Sequence, residues 1–355
     1  MGRQTFSAPC LFAAVNLMKT AAIFGECRAG LKDVPEPRPL EDWALVKVHA
    51  APLCAEYQQF LAGQATDFLG HEAAGEVVAV AQPGRVGVGD RVVVMPQYPC
   101  GTCTLCVSGD FIHCEHCYDF ARFTGSPAGS ATAAQYLLKP SWLLPRIPEG
   151  VSYERASLAC CALGPSFNAW QSMGVGPYDT VLITGGGPVG LGAVVNARFR
   201  GARVLVVEPA PWRAERARQM GAAAVLDPRE SDLTSQIKGL TGGVGVDAAL
   251  DTSGVVAAQR LCLDATRRKG QVAFHGECGG PLEVRISPDF IRTGVTVRGC
   301  WHYNLSDFPK VMTVIQQSPL IDLLISHVLP MSRIQEAFEL CAAQQTAKVI
   351  LKPWE

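Results

Sequence analysis

Cys100, Cys103, Cys106 and Cys114 lie within fifteen residues in the spacing C-x2-C-x2-C-x7-C. A short loop can fold three thiolates around one face of an ion and return a fourth to close a tetrahedron. Zinc takes that closed four-thiolate shell where its work is structural, because no position is left for water or substrate. The rival is an iron–sulfur cluster, whose bacterial spacing puts the fourth Cys near position 110, followed by Pro. Asp110 and Phe111 stand there instead, so the lobe is read as a structural zinc site.

A second piece of chemistry lies in Gly185-Gly186-Gly187-Pro188-Val189-Gly190, which fits G-x-G-x-x-G. It follows a strand expected at Thr180–Thr184 and opens a helix expected over Gly190–Arg200. In that setting each glycine has a task. Gly185 permits the tight turn, Gly187 lets backbone approach a pyrophosphate, and Gly190 lets the helix pack close to the sheet. The pyrophosphate then meets free N–H groups at the positive end of the helix. Glu208 ends the next expected strand, 18 residues after Gly190, where a carboxylate can hold the adenosine ribose hydroxyls. A 2′-phosphate at 4 Å from it would be repelled by about 4 kcal/mol at an effective dielectric near 20, which favours NAD over NADP. Arg213 and Arg216 would offset part of that repulsion if they faced the ribose. Their simpler reading is as solvated helix positions.

The elements that must carry these motifs divide the chain. From Lys19 to about Lys139, short β-type runs (Ala44–His49, Ala73–Val80, Arg91–Met95) alternate with Gly and Pro turns, the pattern of a barrel-like all-β module. Helices are expected between Tyr153 and Met173. Strands at Thr180–Thr184, Arg203–Glu208, Ala223–Leu226, Asp247–Asp251, Val272–His275 and Thr296–Gly299 then alternate with helical segments, which predicts βαβ units and a parallel sheet. Helices over Phe308–Gln317 and Ser332–Gln344 and a strand at Ala347–Leu351 complete the chain. The fold class is α/β, a β-barrel-type domain plus a doubly wound parallel sheet. The expected division is an extension at 1–17, a first domain at 18–165, a nucleotide-binding domain at 166–305, and a return to the first domain at 306–355.

Bulk properties agree with an enzyme of this kind. The chain has 355 residues, 48% hydrophobic and 18% charged, and a net charge of −1. That balance gives no reason to expect nucleic acid or a membrane surface as partner. No apolar run approaches the roughly 20 residues needed to span a bilayer, and Pro9–Val15 is a poor match to a cleaved signal peptide. Fourteen cysteines in a chain of this length fit metal-bound thiolates in a reducing, cytoplasmic setting better than a disulfide scaffold.

The chain resembles the zinc-containing medium-chain alcohol dehydrogenases over residues 18–355. The resemblance rests on Gly70-His71-Glu72, the Gly89-Asp90-Arg91-Val92 turn, the four-cysteine lobe, GGGPVG, and the closing Ala347-Lys348-Val349-Ile350-Leu351. It implies a GroES-like catalytic domain joined to a Rossmann domain, two zinc ions per chain, and assembly as a homodimer or homotetramer. The implied catalytic zinc ligands are Cys54, His71 and Cys161, with Cys160 an adjacent alternative. Glu72 is implied as a close neighbour of the ion. Two thiolates and an imidazole leave zinc one open position, where an alcohol is acidified or a carbonyl polarised for hydride transfer to or from nicotinamide. The expected activity is a zinc-dependent, NAD-linked interconversion of an alcohol and an aldehyde or ketone. A polyol, sugar or amino-alcohol dehydrogenase is one alternative, and a zinc-free, non-catalytic cofactor-binding relative is the other.

One place departs from the family. Many members carry Ser or Thr two residues after the first Cys ligand, beginning a proton relay. Cys54-Ala55-Glu56-Tyr57 puts Glu56 there, unless one residue is deleted and Glu56 replaces a neighbouring acid. Glu56 is then either a general base or a carboxylate that only holds the site. Trp301 and Tyr303 lie on a stretch near the nicotinamide and a subunit contact in the family, with an ordinary core or interface strand as the simpler reading. Cys117 reads as a spare thiol, and His113 and His116 as surface residues.

Overall fold

The computed structural model describes residues 16–355, so most of the extension expected at 1–17 lies outside the described residues. Strand β1 (Leu17–Gly25) pairs antiparallel with β2 (Arg28–Pro35). Glu26 and Cys27 between them both have positive φ, 49° and 53°, the geometry of a two-residue type I′ turn.

The rest of the β module is built on β3 (Trp43–Pro52). It pairs with β4 (Ala73–Val80), which pairs in turn with β5 (Arg91–Val94), and its outer half also takes β6 (Tyr136–Pro140). The β3 and β4 runs are rich in Ala and Val; β3 is buried along most of its length and β4 over its first half.

The second layer is a six-stranded parallel sheet. Its strands are β7 (Thr180–Thr184), β8 (Arg203–Val207), β9 (Ala224–Leu226), β10 (Val246–Asp251), β11 (Thr266–Phe274) and β12 (Thr296–Gly299), in the order β12-β11-β10-β7-β8-β9. Alternate residues of each strand feed the two faces. Val181, Ile183, Val204 and Val206 join one core cluster, and Leu182, Leu205 and Val207 join the other. Both faces are therefore apolar, which is why these strands read as continuous hydrophobic runs. Strand order reverses between β7 and β10, leaving a crevice beyond the carboxyl ends of the strands.

The chain ends by returning to the first sheet. β13 (Ile325–Pro330) pairs parallel with β14 (Lys348–Lys352), and β14 pairs antiparallel with β3, Ile350 facing Pro52 and Leu351 facing Ala51. That register, sealed by Leu53 N–H donating to Val349 C=O at 2.9 Å, brings Lys348 beside the segment leading into Cys54.

Candidate active site

The cofactor turn is the simplest part of the site. Gly187 is the N-cap of helix Pro188–Phe199. Gly185 has φ +92°, and a Cβ on Gly190 would lie 1.8 Å from Gly185 O. Neither position tolerates a side chain, so the helix starts hard against the strand that precedes it. Gly185, Gly187, Pro188 and Val189 line a cleft of about 610 Å³, while Gly190 is buried behind them.

Glu208 lines the same cleft and is 5% exposed. Its Oε2 accepts from Gly186 N–H at 2.5 Å and its Oε1 from Ala210 N–H at 2.7 Å. The carboxylate thus fixes the glycine turn from the next strand. Arg213 differs from its simpler expectation: it is buried and lines the cleft. Its Nε donates to Thr346 C=O, and its guanidinium lies 3.9 Å from where a Gly187 Cβ would be. Arg216 leaves the cleft, donating to Leu323 C=O beneath the Trp212 ring.

Across the cleft stand the candidate metal ligands. Cys54 follows β3, His71 and Glu72 precede β4, and Cys161 sits in the turn before helix Gly164–Ser172. One donor atom from each of the four lies within 4.8 Å of all the others. His71 Nε2 is 3.2 Å from Cys161 Sγ, and Cys54 lines the cleft itself. Cys160 turns the other way, its thiol donating to Val94 C=O in the core, where burial pushes it up.

Glu56 settles the imidazole's orientation. Its Oε1 is 3.0 Å from His71 Nδ1, and its Oε2 accepts from Cys54 N–H at 2.6 Å. A carboxylate beside Nδ1 favours the tautomer with the proton there, which would leave the Nε2 lone pair toward the sulfurs, the arrangement by which metal-binding histidines are held. Oε2 is thus hydrogen-bonded, while Oε1, buried, meets His71 Nδ1 as a close contact without hydrogen-bond geometry, and Glu56 is absent from the cleft wall that Cys54, Ala55, Tyr57 and Gln58 form. This geometry fits a carboxylate that holds the site, not a general base facing substrate.

Glu72 is fully buried. Its Oε2 accepts from Cys161 N–H at 3.1 Å and its Oε1 from Lys348 Nζ at 2.5 Å. Burial pushes Glu72 up to about 7, with Lys348 working against that shift. Burial also opposes the ammonium of Lys348, yet Glu72, Cys54 and Cys161 outweigh it and hold the group charged. Cys54 is drawn well below its ordinary value, chiefly by a hydrogen bond from Cys161, with Lys348 and His71 assisting. A thiolate, an imidazole with its lone pair exposed and a second sulfur form a donor set that suits zinc.

The four-cysteine lobe lies between β5 and β6. Sγ separations are 4.0 Å for Cys100–Cys106, 3.5 Å for Cys103–Cys106, 3.9 Å for Cys103–Cys114 and 3.6 Å for Cys100–Cys114. A tetrahedron with Zn–S bonds of 2.3 Å has edges of about 3.8 Å, so the sulfurs already stand at the spacing zinc requires. Backbone N–H groups of Cys103 and His116 donate to Cys100 and Cys114 sulfur, as thiolates favour. Cys117 is exposed and donates to Cys114 C=O; His116 is exposed too.

Trp301 and Tyr303 are not in the cleft wall. Tyr303 is buried and donates to Met95 sulfur, while Trp301 is exposed beside His113. Sequence reasoning missed Lys348 as a site residue and the Asp251 carboxylate, which collects Thr184, Ser253 and Gly254 at the strand ends. A lysine in a closing strand carries no local signal of burial. Asp251 at a strand's carboxyl end does carry one.

Two family models match the chain, an alcohol dehydrogenase GroES-like domain over residues 40–149 and a zinc-binding dehydrogenase over 188–317. L-threonine 3-dehydrogenase of Pyrococcus abyssi is 32% identical, covering 95% of this chain and 97% of its own. Sorbitol dehydrogenase of Bacillus subtilis is 30% identical over 91% and 93%. Among solved structures, alcohol dehydrogenase TADH from Thermus sp. ATN1 superposes with a TM-score of 0.84 at 26% identity, covering 94% of this chain and 99% of that one. Among the described residues no helix is long and apolar enough to cross a membrane. A glycine turn and Cys54, one member of a Cys–His–Glu–Cys cluster, line the same cleft, and relatives match nearly end to end: the chain belongs to the zinc-containing medium-chain alcohol dehydrogenase family.

Proposed function

We propose that this dehydrogenase uses two zinc ions and NAD to interconvert an alcohol and an aldehyde or ketone by hydride transfer. One observation carries the reading: Cys54, His71 and Cys161, from separate segments, bring their donor atoms together, and Cys54 of that cluster lines the cleft that also holds the glycine turn. That completeness favours catalysis over a zinc-free, non-catalytic relative. Zinc held by these three residues would supply a Lewis acid for the substrate oxygen. Glu56 holds His71 in the ligating tautomer, and Glu72 fixes the Cys161 amide. The glycine turn and the helix N-terminus receive the pyrophosphate, and Glu208 and Arg213 border its ribose end. Glu208, buried and carboxylate-bearing at that end, supports NAD over NADP. Cys100, Cys103, Cys106 and Cys114 hold the structural ion.

Relatives named for L-threonine and sorbitol support polyols, sugars and amino alcohols as an alternative substrate class beside simple alcohols. In this reading residues 18–165 and 306–355 form the catalytic unit and 166–305 the nucleotide-binding unit, following the sheet that β13 and β14 join. A cytoplasmic homodimer or homotetramer belongs to the same reading, and the open edge at β12 is a surface a second copy could pair with. The test follows NADH absorbance over primary alcohols, polyols and amino alcohols, with His71→Ala as control. Turnover of at least one class by the parent and none by the variant is expected; equal turnover by both would contradict the assignment.

A further inference from the structure

We propose that Lys348 is a positioning residue that holds Glu72 away from the catalytic metal, so that its shell is completed by substrate and not by a fourth protein ligand. The inference rests on the assignment of that metal to Cys54, His71 and Cys161. A Glu72 oxygen belongs to the same donor cluster, within 4.8 Å of the two sulfurs and the imidazole, and Oε1 is 3.8 Å from His71 Nε2. A buried carboxylate this near a dication is attracted to it, and ligation would close the shell as in structural sites. What opposes that motion is visible. Lys348 Nζ, fully buried, donates to Glu72 Oε1 at 2.5 Å and to Leu53 C=O at 3.0 Å. Its strand is fixed to β3 by the Leu53–Val349 hydrogen bond. Cys161 N–H holds the other oxygen. The carboxylate is thus pinned at both oxygens, and the ammonium supplies the positive charge that the ion would otherwise offer it.

The same lysine ties together the segments that carry the ligands. It bonds the carbonyl preceding Cys54 and the carboxylate following His71, and that carboxylate bonds the amide of Cys161. Removing its charge frees Glu72 to compete for the open vertex, and an exogenous ligand must then displace a protein group. The prediction is a loss of small-ligand affinity at the metal, reversed when Glu72 loses its charge as well.

The experiment uses full-length protein with cobalt(II) in place of zinc, titrated with sodium azide and followed by the visible cobalt absorption. Lys348→Met should weaken azide by about tenfold or more, since only the fraction with an open vertex can bind it. The double variant K348M/E72Q should return azide affinity to within about twofold of the parent on the same argument. Azide affinity unchanged in K348M, or not restored in the double variant, would overturn the proposal. If K348M alone does not fold, the double variant, which buries no charge at either position, still decides. Affinity matching the parent supports an open parental vertex, and clearly tighter affinity would mean that Glu72 already occupies it. A parent protein that takes up no cobalt beyond the four-cysteine lobe would instead overturn the metal assignment itself.

Discussion

The two cysteine clusters are built from similar ligands to opposite ends. The lobe at Cys100–Cys114 is local: fifteen residues supply four sulfurs, and backbone amides of the same loop stabilise them. The cleft cluster is assembled from segments as far apart as Cys54 and Cys161. Its neighbours are charged and buried, with Glu56 on the imidazole and the Glu72–Lys348 pair beneath. A local cluster can close a shell and contribute folding energy. A cluster drawn from distant segments forms only when the fold is complete, and it can leave one side facing a cleft. On the proposed reading, this contrast is what separates a structural site from a chemical one.

The sharpest way to break that contrast is to remove one sulfur from the lobe. Cys103→Ser should cost several kcal/mol of folding energy, since structural zinc stabilises the folded state directly. A drop in Tm of about 10 °C or more, or loss of soluble protein, is expected. A thermal melt unchanged from the parent would remove the structural assignment. In the cleft, Glu56→Ala should leave Tm nearly intact but weaken the catalytic metal by about 10- to 100-fold, the usual cost of losing a carboxylate behind a ligating His. Competition with a chromogenic chelator measures this, and unchanged affinity would show that Glu56 does not orient His71.

His302 probes the ground behind the lobe without touching either metal site. It is 2% exposed, packs against Phe111 and Tyr303, and both ring nitrogens are buried without a hydrogen-bond partner. Burial lowers it to about 3. Between that value and the unfolded value near 6.5, the unfolded chain binds a proton that the folded chain refuses. Stability therefore falls as pH drops below about 6.5, by about 2 kcal/mol at pH 5. Denaturant midpoints at pH 7.5 and 5.0 should differ less for His302→Phe than for the parent by that amount. Identical pH dependence would contradict a buried neutral imidazole. The smallest effect belongs to the cofactor side. Glu208→Ala should narrow the preference for NAD over NADP by about tenfold or less, part of the unscreened repulsion. An unchanged ratio of the two Kd values would show that Glu208 serves only the glycine turn.

The fold was most legible where burial and periodicity coincide. Ala73–Val80, Thr180–Thr184, Thr296–Gly299 and Phe308–Gln317 appear at the boundaries expected for them. The hairpin of β1 and β2 was not legible, because Glu26-Cys27 turns the chain with positive φ where Asn-Gly would have announced it. Helix Val256–Ala265 and strand β13 also escaped, having no nearby motif to anchor them. In the site, the spacing of the four-cysteine lobe and the glycine fingerprint were readable from residue types alone, whereas Cys54, His71 and Cys161 came from the family resemblance. The direction of Glu56, the burial of Arg213 and the partnership of Lys348 with Glu72 were not. Each depends on which side chains meet across the fold, and Glu72 and Lys348 are 276 positions apart.

Zinc content measured together with NAD binding in His71→Ala tests the central claim most directly. The parent should carry two zinc ions per chain and the variant one, with NAD affinity within about twofold, because the glycine turn and Glu208 stand on the other wall of the cleft. A variant that keeps both ions and its turnover would contradict the account.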